Sequence, residues 1–276
     1  AILERNSIKF GEKPAFREKE FGIWQSWNWR EVHEHVNNMS LGLINLGIKE
    51  GEHICIIGRN RPHLYWSIIA AQNVGAIPTP LYQDSVAQEM IFPISHCSAK
   101  MAIVENQEQV DKLLEIKKDI TSLKNIIYLD PRGLRNYKKN NLYSLNDVFT
   151  LKNIESVSKL QTELKNRQSK QNLDTKSILL YTSGTTGRSK GVVLSNRNVI
   201  ESGKAGIVFD NINSDFSLIC YLPMAWVGDF AFSMGLGLQS GMCICCPESS
   251  ETLHDDMREI GPSYFFGPPR FFESLV

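Results

Sequence analysis

The sequence predicts an α/β fold in which helices cover parallel β-sheets. Short apolar runs of strand length alternate along the chain with segments of helical periodicity, and glycines bound several of these segments. The composition, with 42% hydrophobic and 22% charged residues, is that of a globular protein. Alternating strands and helices are typical of a parallel sheet, because a crossover helix must return the chain before the next strand can run in the same direction.

The first 130 residues carry this alternation most clearly. Residues Trp24–Trp29 alternate aromatic and polar side chains, which predicts a half-buried strand. Apolar residues at helical spacing predict a helix over 30–46, ended by Gly47. The next elements are expected to be a strand at His53–Ile57, a helix at Pro62–Val74, a strand at Met101–Val104, a helix at Val110–Ile116 and a strand at Ile126–Leu129. We expect residues 1–130 to form a first α/β subdomain.

Residues 131–176 differ in composition. They contain ten Lys and Arg against four Asp and Glu, a local charge of +6, and few aromatic side chains. The charges are spread out and never form a block, which favours a basic, polar, solvated helical connector. The alternative is a basic patch that binds phospholipid or nucleic acid. An apolar strand at Ser177–Tyr181 then begins a second, incomplete α/β subdomain over residues 177–276.

Charge and cysteine usage narrow the class of protein. The chain has 30 basic and 30 acidic residues, whereas proteins that bind nucleic acid are normally basic, so we expect no nucleic-acid partner. The six cysteines lack metal-ligand spacing, and Cys243–Cys246 is predicted to be a buried strand with reduced thiols, which suits the cytosol.

The uncharged run Phe230–Cys246 is too short and too rich in glycine to span a membrane, and predicts a buried helix, a glycine turn and a strand.

The segment most informative about chemistry is Tyr181–Gly191, YTSGTTGRSKG, which follows a predicted strand. Its glycines let backbone N–H groups turn towards an anion, its hydroxyls add further donors, and Lys190 adds a positive charge. This combination predicts a loop that wraps the β- and γ-phosphates of a nucleotide. It is not a Walker A loop, because Gly184 and Gly187 are too close and Lys190 precedes Gly191. The alternative is an ordinary Ser/Thr/Gly-rich surface turn.

This loop resembles the phosphate loop of the adenylate-forming (AMP-binding) enzymes, which include acyl-CoA synthetases, luciferases and peptide-synthetase adenylation domains. The resemblance extends over nearly the whole chain and points to the bacterial long-chain acyl-CoA synthetase branch. The further segments that carry it are Gly58–Pro62, Gly75–Pro78, Leu81–Ser85, Glu108–Leu114, Leu222–Asp229 and Phe266–Arg270. It implies the N-terminal portion of the large domain of the adenylate-forming fold.

The resemblance also implies a two-step reaction that uses ATP, Mg²⁺ and coenzyme A. A carboxylate attacks the α-phosphate to give acyl-AMP and pyrophosphate, and the thiol of coenzyme A then displaces AMP. Thr185 and Lys190 are implied to act in catalysis, with Thr185 also approaching the metal, while Ser189 stands where the family often has proline. The residues implied to hold the nucleotide are Thr182, Ser183, Gly184, Thr185, Thr186, Gly187 and Lys190.

A second implied element is the substrate pocket. Trp226, Gly228 and Asp229 are the candidates, and Trp226 stands where many relatives carry a histidine or another aromatic group. Trp226 would line or gate the acyl tunnel; the alternative is an ordinary core tryptophan. Asp229 is the one charged residue between Asp215 and Glu248, so we expect it to have a partner or to reach solvent. His96 and His254 are assigned no role.

The resemblance therefore implies the N-terminal fragment of a long-chain fatty acid–CoA ligase of lipid metabolism. We expect the adenine site and a C-terminal catalytic lysine to lie beyond Val276, so that this chain alone is inactive. A cytoplasmic location is expected, compatible with peripheral association at the inner membrane face and with an oligomer. The alternatives are a medium-chain or aryl acid ligase, a phosphoryl-transferring NTPase, and a non-catalytic truncated relative that binds nucleotide or acyl groups.

Overall fold

The computed structural model describes residues 1–150, 154–182 and 189–273. Its helices are α1 (Ile2–Lys9), α2 (Trp29–Asn45), α3 (Pro62–Asn73), α4 (Ala87–His96), α5 (Gln107–Glu115), α6 (Leu145–Thr150), α7 (Ile154–Lys170), α8 (Asn196–Phe209), α9 (Val227–Phe230), a π-helical segment (Ala231–Gly237), α10 (Leu238–Ser240), α11 (Leu253–Ile260) and α12 (Pro269–Glu273). Its strands are β1 (Pro14–Glu20), β2 (Ile23–Asn28), β3 (His53–Ile57), β4 (Ile77–Leu81), β5 (Met101–Val104), β6 (Asn125–Tyr128), β7 (Leu142–Ser144), β8 (Lys176–Thr182), β9 (Lys190–Ser195), β10 (Ser217–Ile219) and β11 (Cys243–Cys246).

The chain forms two compact units, each assembled from segments distant in sequence. The first consists of Ala1–Val32, Ile200–Leu222 and Gly228–Val276, and the second of His33–Val199 and Pro223–Val227. Both units are mixed α/β structures. The predicted division of the chain into residues 1–130, 131–176 and 177–276 stays a prediction.

The second unit contains a parallel sheet with the strand order β4-β3-β5-β6-β7. Strands β3 and β5 match the predicted bounds, and β5 is buried throughout, as expected for a strand with both faces covered. Side chains from this sheet and from α4 and α5 form one continuous hydrophobic core. The predicted parallel sheet covered by helices is thereby confirmed.

Strand β4 was not predicted, because its sequence is Ile-Pro-Thr-Pro-Leu. Proline cannot donate to a sheet, so Pro78 and Pro80 argue against a strand in the sequence. The register removes the conflict: β4 ends the strand order, and Ile77 donates its N–H to Glu52 while the two prolines alternate with the residues that bond to β3. Both proline nitrogens therefore face away from the hydrogen-bonded neighbour.

The polar segment 131–176 contributes more to the fold than a solvated connector would. Strand β7 pairs with β6 and extends the parallel sheet, and α6 follows it directly. Within the segment, Leu134, Leu142 and Val148 are buried. Only α7 has the largely exposed, helical character that was predicted. Composition averaged over the segment hides these apolar positions, which are widely spaced among polar residues.

The first unit contains a sheet with the order β10-β11-β1-β2, in which only the β1–β2 pair is antiparallel among the pairs described. Strand β11 is buried throughout and its cysteines form no disulfide bond, which confirms the predicted buried cysteine strand. The aromatic run Trp24–Trp29 falls on β2, which ends the strand order and is largely exposed. The predicted strand is wrong at Trp29, which begins α2 and is fully buried.

The uncharged run Phe230–Cys246 has the three parts that were predicted. A helical stretch is followed by Gly241, whose φ of 80° is in the left-handed region, and then by β11. Glycine reaches that conformation at little cost, so it turns the chain directly into the strand. In the part of the chain that the structure describes, no helix is long and apolar enough to cross a membrane.

We expect a histidine in the second unit to make stability depend on pH. Burial, with a smaller contribution from neighbouring His35, lowers the pKa of His63 to about 4. Its ring packs on Trp66 at 4.6 Å between ring centroids. An unfolded histidine has a pKa of about 6.5, so between pH 6.5 and 4 the unfolded chain binds the extra proton. The free energy of unfolding should fall by about 3 kcal/mol across this window and level off below it.

Denaturant unfolding at pH 7.5, 6 and 4.5 measures this dependence. The variant His63→Gln should lose stability at pH 7.5, because packing is poorer, but should show a shallower decline towards pH 4.5 than the parent chain. Parallel declines in the two proteins would show that His63 does not titrate on unfolding.

Candidate active site

A β-hairpin brings together the two ends of the predicted phosphate loop. Strand β8 carries the apolar run that was predicted, and it pairs with β9 in antiparallel register. Thr182 lies opposite Lys190, and the Thr182 Oγ1 is 3.5 Å from the Lys190 carbonyl oxygen, which accepts its hydrogen bond. We call Thr182 and Lys190 the neck of the loop. Both are exposed, so their side chains are accessible to a ligand.

Most of the loop lies outside the residues that the structure describes. The predicted site residues that lie outside the described residues are Ser183, Gly184, Thr185, Thr186 and Gly187. The roles implied for them, including the approach of Thr185 to magnesium, stay predictions. In the described ranges no group of three or more His, Cys, Asp or Glu side chains could hold a metal ion.

Tyr181, the residue before the neck, is attached to helix α4. Its Oη donates to the Pro93 carbonyl at 3.1 Å and lies 2.8 Å from His96 Nδ1. Burial, together with the nearby thiols of Cys97 and Cys55, raises the pKa of the Tyr181 phenol, so it stays protonated and remains a donor. No local sequence pattern indicates the contact with His96, because 85 residues separate the partners.

A cleft of about 780 Å³ opens beside this attachment. It runs along one side of α4 and the end of β4, and it reaches the loop at Tyr181 and Ser189. Polar and apolar groups both face it. Its lining consists of Pro80, Leu81, Tyr82, Ser85, Gln88, Glu89, Met90, Ile91, Phe92, Pro93, Ser95, Tyr181 and Ser189.

A smaller pocket of about 250 Å³ shares two aromatic residues with this cleft. The shared residues are Tyr82 and Tyr181, and Trp226 contributes a third ring to the smaller pocket. Trp226 is 37% exposed, which is not the environment of an ordinary core tryptophan. The lining consists of Tyr82, Leu180, Tyr181, Thr182, Val192, Leu194, Ala225, Trp226 and Val227. Thr182 of the neck therefore faces the same pocket as Trp226.

The other two predicted pocket residues lie elsewhere. Gly228 and Asp229 are on α9, belong to the first compact unit and are not part of the lining of either pocket described above. Asp229 is buried, with 4% of its surface exposed, and its backbone carbonyl accepts a hydrogen bond from Ser233 Oγ at 2.6 Å. Their role at the substrate stays a prediction.

A charged cluster connects two strand ends of the parallel sheet. Glu105 follows β5, and its carboxylate accepts hydrogen bonds from the Arg59 backbone N–H at 2.7 Å and from the Arg59 and Arg61 side chains at 2.8 Å and 3.3 Å. Burial by itself would raise the pKa of Glu105, but the hydrogen bonds and charges of the two arginines lower it below its usual value. The cluster fixes the loop that follows β3, which the sequence singled out only as a family-like segment.

Comparison with known proteins agrees with this geometry. The family described as AMP-binding enzyme matches residues 3–276. The long-chain-fatty-acid–CoA ligase ACSBG1 of Rattus norvegicus is 26% identical over 276 residues, which cover 97% of this chain and 37% of the relative. ACSBG2 of Homo sapiens, named in the same way, is 27% identical over 98% of this chain and 40% of its own length. The chain thus spans about two fifths of these relatives.

Solved structures agree on the fold. A long-chain-fatty-acid-CoA ligase from Archaeoglobus fulgidus superposes with a TM-score of 0.78 at 18% identity, covering 95% of this chain and 49% of that one. The N-terminal domain of FACL13 from Mycobacterium tuberculosis superposes with a TM-score of 0.73 at 17% identity, over 96% and 61%. The fold is that of the N-terminal portion of the large domain of adenylate-forming enzymes, as the sequence predicted. With a family match that covers all but the first two residues, the chain belongs to the AMP-binding enzymes.

Proposed function

We propose that this chain is the N-terminal part of a long-chain fatty acid–CoA ligase, which adenylates a fatty acid with ATP and then transfers the acyl group to coenzyme A. The observation that carries the proposal is the neck of the loop, where the hairpin places Thr182 opposite Lys190 and Thr182 lines the same pocket as Trp226. The relatives named above, which are long-chain-fatty-acid–CoA ligases, favour this substrate class.

The neck suits the departure of pyrophosphate. When the carboxylate attacks the α-phosphate, negative charge accumulates on the leaving pyrophosphate, and a fixed lysine ammonium stabilises it. Lys190 supplies that charge, and Thr182 supplies a rotating hydroxyl next to it. We assign the remaining phosphate contacts to Ser183, Gly184, Thr185, Thr186 and Gly187. Mg²⁺ would arrive with the nucleotide phosphates, as is common for this cation, with Thr185 as its nearest protein group.

The smaller pocket suits the acyl group. Apolar side chains from β8 and β9 and the Trp226 ring form most of its lining, which a hydrocarbon can cover without stranding polar groups. Its volume of about 250 Å³ is small for a long chain, so the remainder of the tail must extend beyond these residues. We propose that Trp226 borders the carboxyl end of the acid, and we keep Gly228 and Asp229 as candidates for a role at the substrate.

Location and thiol state are part of the proposal. None of the six cysteines, all of which lie in the described residues, forms a disulfide bond, which fits a reducing compartment such as the cytoplasm. A fatty acid partitions into lipid, so contact with a membrane surface would give the ligase access to its substrate. A vesicle flotation assay with the complete protein would test that contact.

A panel of fatty acids tests the reaction itself. The complete protein is incubated with ATP, Mg²⁺, coenzyme A and fatty acids of about 6 to 20 carbons, which include medium and long chains. AMP and pyrophosphate should appear in equal amounts and should depend on a long-chain acid. Preference for a short or aryl acid would select the medium-chain or aryl alternative. Release of orthophosphate would favour the NTPase, and nucleotide binding without turnover would favour the non-catalytic relative.

Replacing Trp226 by alanine should act on the acid and not on the nucleotide. Losing a partly buried aromatic wall should raise the KM for palmitate about 10-fold, while the KM for ATP changes less than two-fold. Steady-state kinetics with each substrate varied in turn measures both constants. Trp24→Ala, at an exposed edge strand, is the control and should leave both unchanged. Equal effects on both substrates would place Trp226 in the scaffold and outside the acyl pocket.

A further inference from the structure

Tyr181 is held from two sides just before the phosphate loop begins. On one side its hydroxyl meets α4, at Pro93 and His96. On the other side lies Gly191, its register partner on β9. A Cβ added at Gly191 would lie 2.9 Å from Leu179 Cδ1 and 3.5 Å from Tyr181 Cε1, so β9 approaches this ring closely because residue 191 has no side chain.

The two hydrogen bonds at the Tyr181 hydroxyl determine which group is the donor in each bond. A phenol has one proton, and at Tyr181 that proton points to the Pro93 carbonyl, which can only accept. His96 Nδ1, 2.8 Å from the same oxygen, must then carry the proton of that bond and donate it to Oη. The Cys97 thiol also lies near this hydroxyl, but a residue without a donor at position 96 would leave the His96 bond unmade.

The histidine ring is itself held in place. It stacks on Phe92, one helical turn earlier, with ring centroids 5.3 Å apart and an interplanar angle of 27°. It meets the Tyr181 ring edge-on at 5.8 Å, and Phe92 meets Tyr181 edge-on at 6.3 Å. Three rings thus lock together where α4 approaches β8, and edge-on and stacked pairs of this kind restrict one another's rotation.

This cluster lies one residue from the neck. Thr182 follows Tyr181 directly, and Lys190 precedes Gly191, which packs on the Tyr181 ring. Any displacement of the tyrosine therefore reaches both arms of the loop. Ser189, where the family often has proline, lines the same cleft as Phe92 and Tyr181. A serine restricts the backbone less than proline would, so this loop depends more on fixation from outside.

We propose that His96 is a positioning residue for the neck of the phosphate loop, which it holds through Tyr181 so that Thr182 and Lys190 face the nucleotide in a fixed arrangement. This rests on the proposed function. His96 touches neither substrate nor reacting atoms in the proposal. Its contribution is to reduce the number of arrangements that the neck samples before ATP binds, which is a form of preorganisation.

The test uses single and double variants of the complete protein. His96→Ala should raise the KM for MgATP roughly 5-fold, the scale of one hydrogen bond, with the KM for fatty acid unchanged. Tyr181→Phe, which also loses the bond to the Pro93 carbonyl, should have an effect at least as large. Because both changes break the bond between His96 and Tyr181, the double variant should be no worse than Tyr181→Phe alone. His96→Gln, which can donate from its amide, should recover most of the loss.

Several outcomes would overturn the inference. Multiplying effects in the double variant, or equal changes in both KM values, would mean that His96 acts outside the Tyr181 bond. The matched control is His254→Ala, at another exposed helical histidine, stacked on Phe271 at 5.4 Å, and it should leave both constants unchanged. If the parent protein forms no AMP from any acid, the proposed function fails. If it forms AMP and His96→Ala behaves like the parent, only the positioning role fails.

Discussion

Lys190→Ala should slow fatty-acid adenylation by about 100- to 1,000-fold, the usual cost of removing one preorganised charge-stabilising group. Lys190 begins β9 at the neck of the loop, beside Thr182, where charge on the departing pyrophosphate accumulates in the proposed reaction. The second half-reaction has no pyrophosphate, so thioester formation from supplied acyl-AMP and coenzyme A should largely survive. The two half-reactions thus separate a role in phosphate binding from general damage.

The measurements are fatty-acid-dependent exchange of labelled pyrophosphate into ATP for the first step, and acyl-CoA formation from synthetic acyl-AMP for the second. Lys176→Ala is the matched control, because Lys176 is an exposed lysine at the opposite end of the same hairpin. It should behave like the parent protein in both assays. Equal losses in the two half-reactions of Lys190→Ala would contradict the assignment.

Glu105→Ala should lower the free energy of unfolding by about 3 kcal/mol, the low end of the cost of breaking a buried ion pair. The carboxylate is 9% exposed and Arg61 is 12% exposed, so removing Glu105 leaves a buried guanidinium without this partner. Arg59 is 44% exposed and can turn to water, which keeps the loss from being larger. Removing the carboxylate also frees the Arg59 backbone N–H.

The same carboxylate predicts a dependence on pH. Its pKa is lower in the folded chain than in the unfolded one, so its contribution is complete above about pH 5 and is lost as the pH falls through the folded value. The stability difference between the parent chain and Glu105→Gln should therefore shrink between pH 6 and pH 3. Denaturant unfolding followed by tryptophan fluorescence measures it. Glu108→Gln, at an exposed carboxylate paired with Lys112, is the control and should change stability by less than about 0.5 kcal/mol.

Local sequence patterns were sufficient to predict the elements whose structure does not depend on neighbouring elements. Strands β3 and β5 are apolar runs of strand length, bounded by residues that end them, and both were predicted at their observed bounds. The phosphate loop was recognisable because its chemistry depends on residue type at fixed spacing along the chain. The buried cysteine strand followed from an apolar run without ligand spacing.

Other elements have a local sequence pattern that argues against the structure they form. Only the tertiary structure identifies these elements. Strand β4 contains two prolines, which are acceptable only because the bonded neighbour lies on the other side. Trp29 belongs to an alternating pattern but begins a helix. Strand β7 lies in a polar segment and gains its stability from pairing with β6. In each case the deciding energy comes from a partner distant in sequence.

For the candidate site, the chemistry can be read from the residue types alone, whereas the tertiary structure determines which side chains lie next to one another. Residue type fixed a hydroxyl- and glycine-rich loop with a lysine, since those groups recognise phosphate wherever the loop is placed. That Thr182 faces Lys190, that Trp226 lines a pocket with Tyr181, and that His96 bonds to the same tyrosine follow from strand register and helix packing. Contacts between residues 85 positions apart depend on packing free energy summed over the core, which no local pattern records.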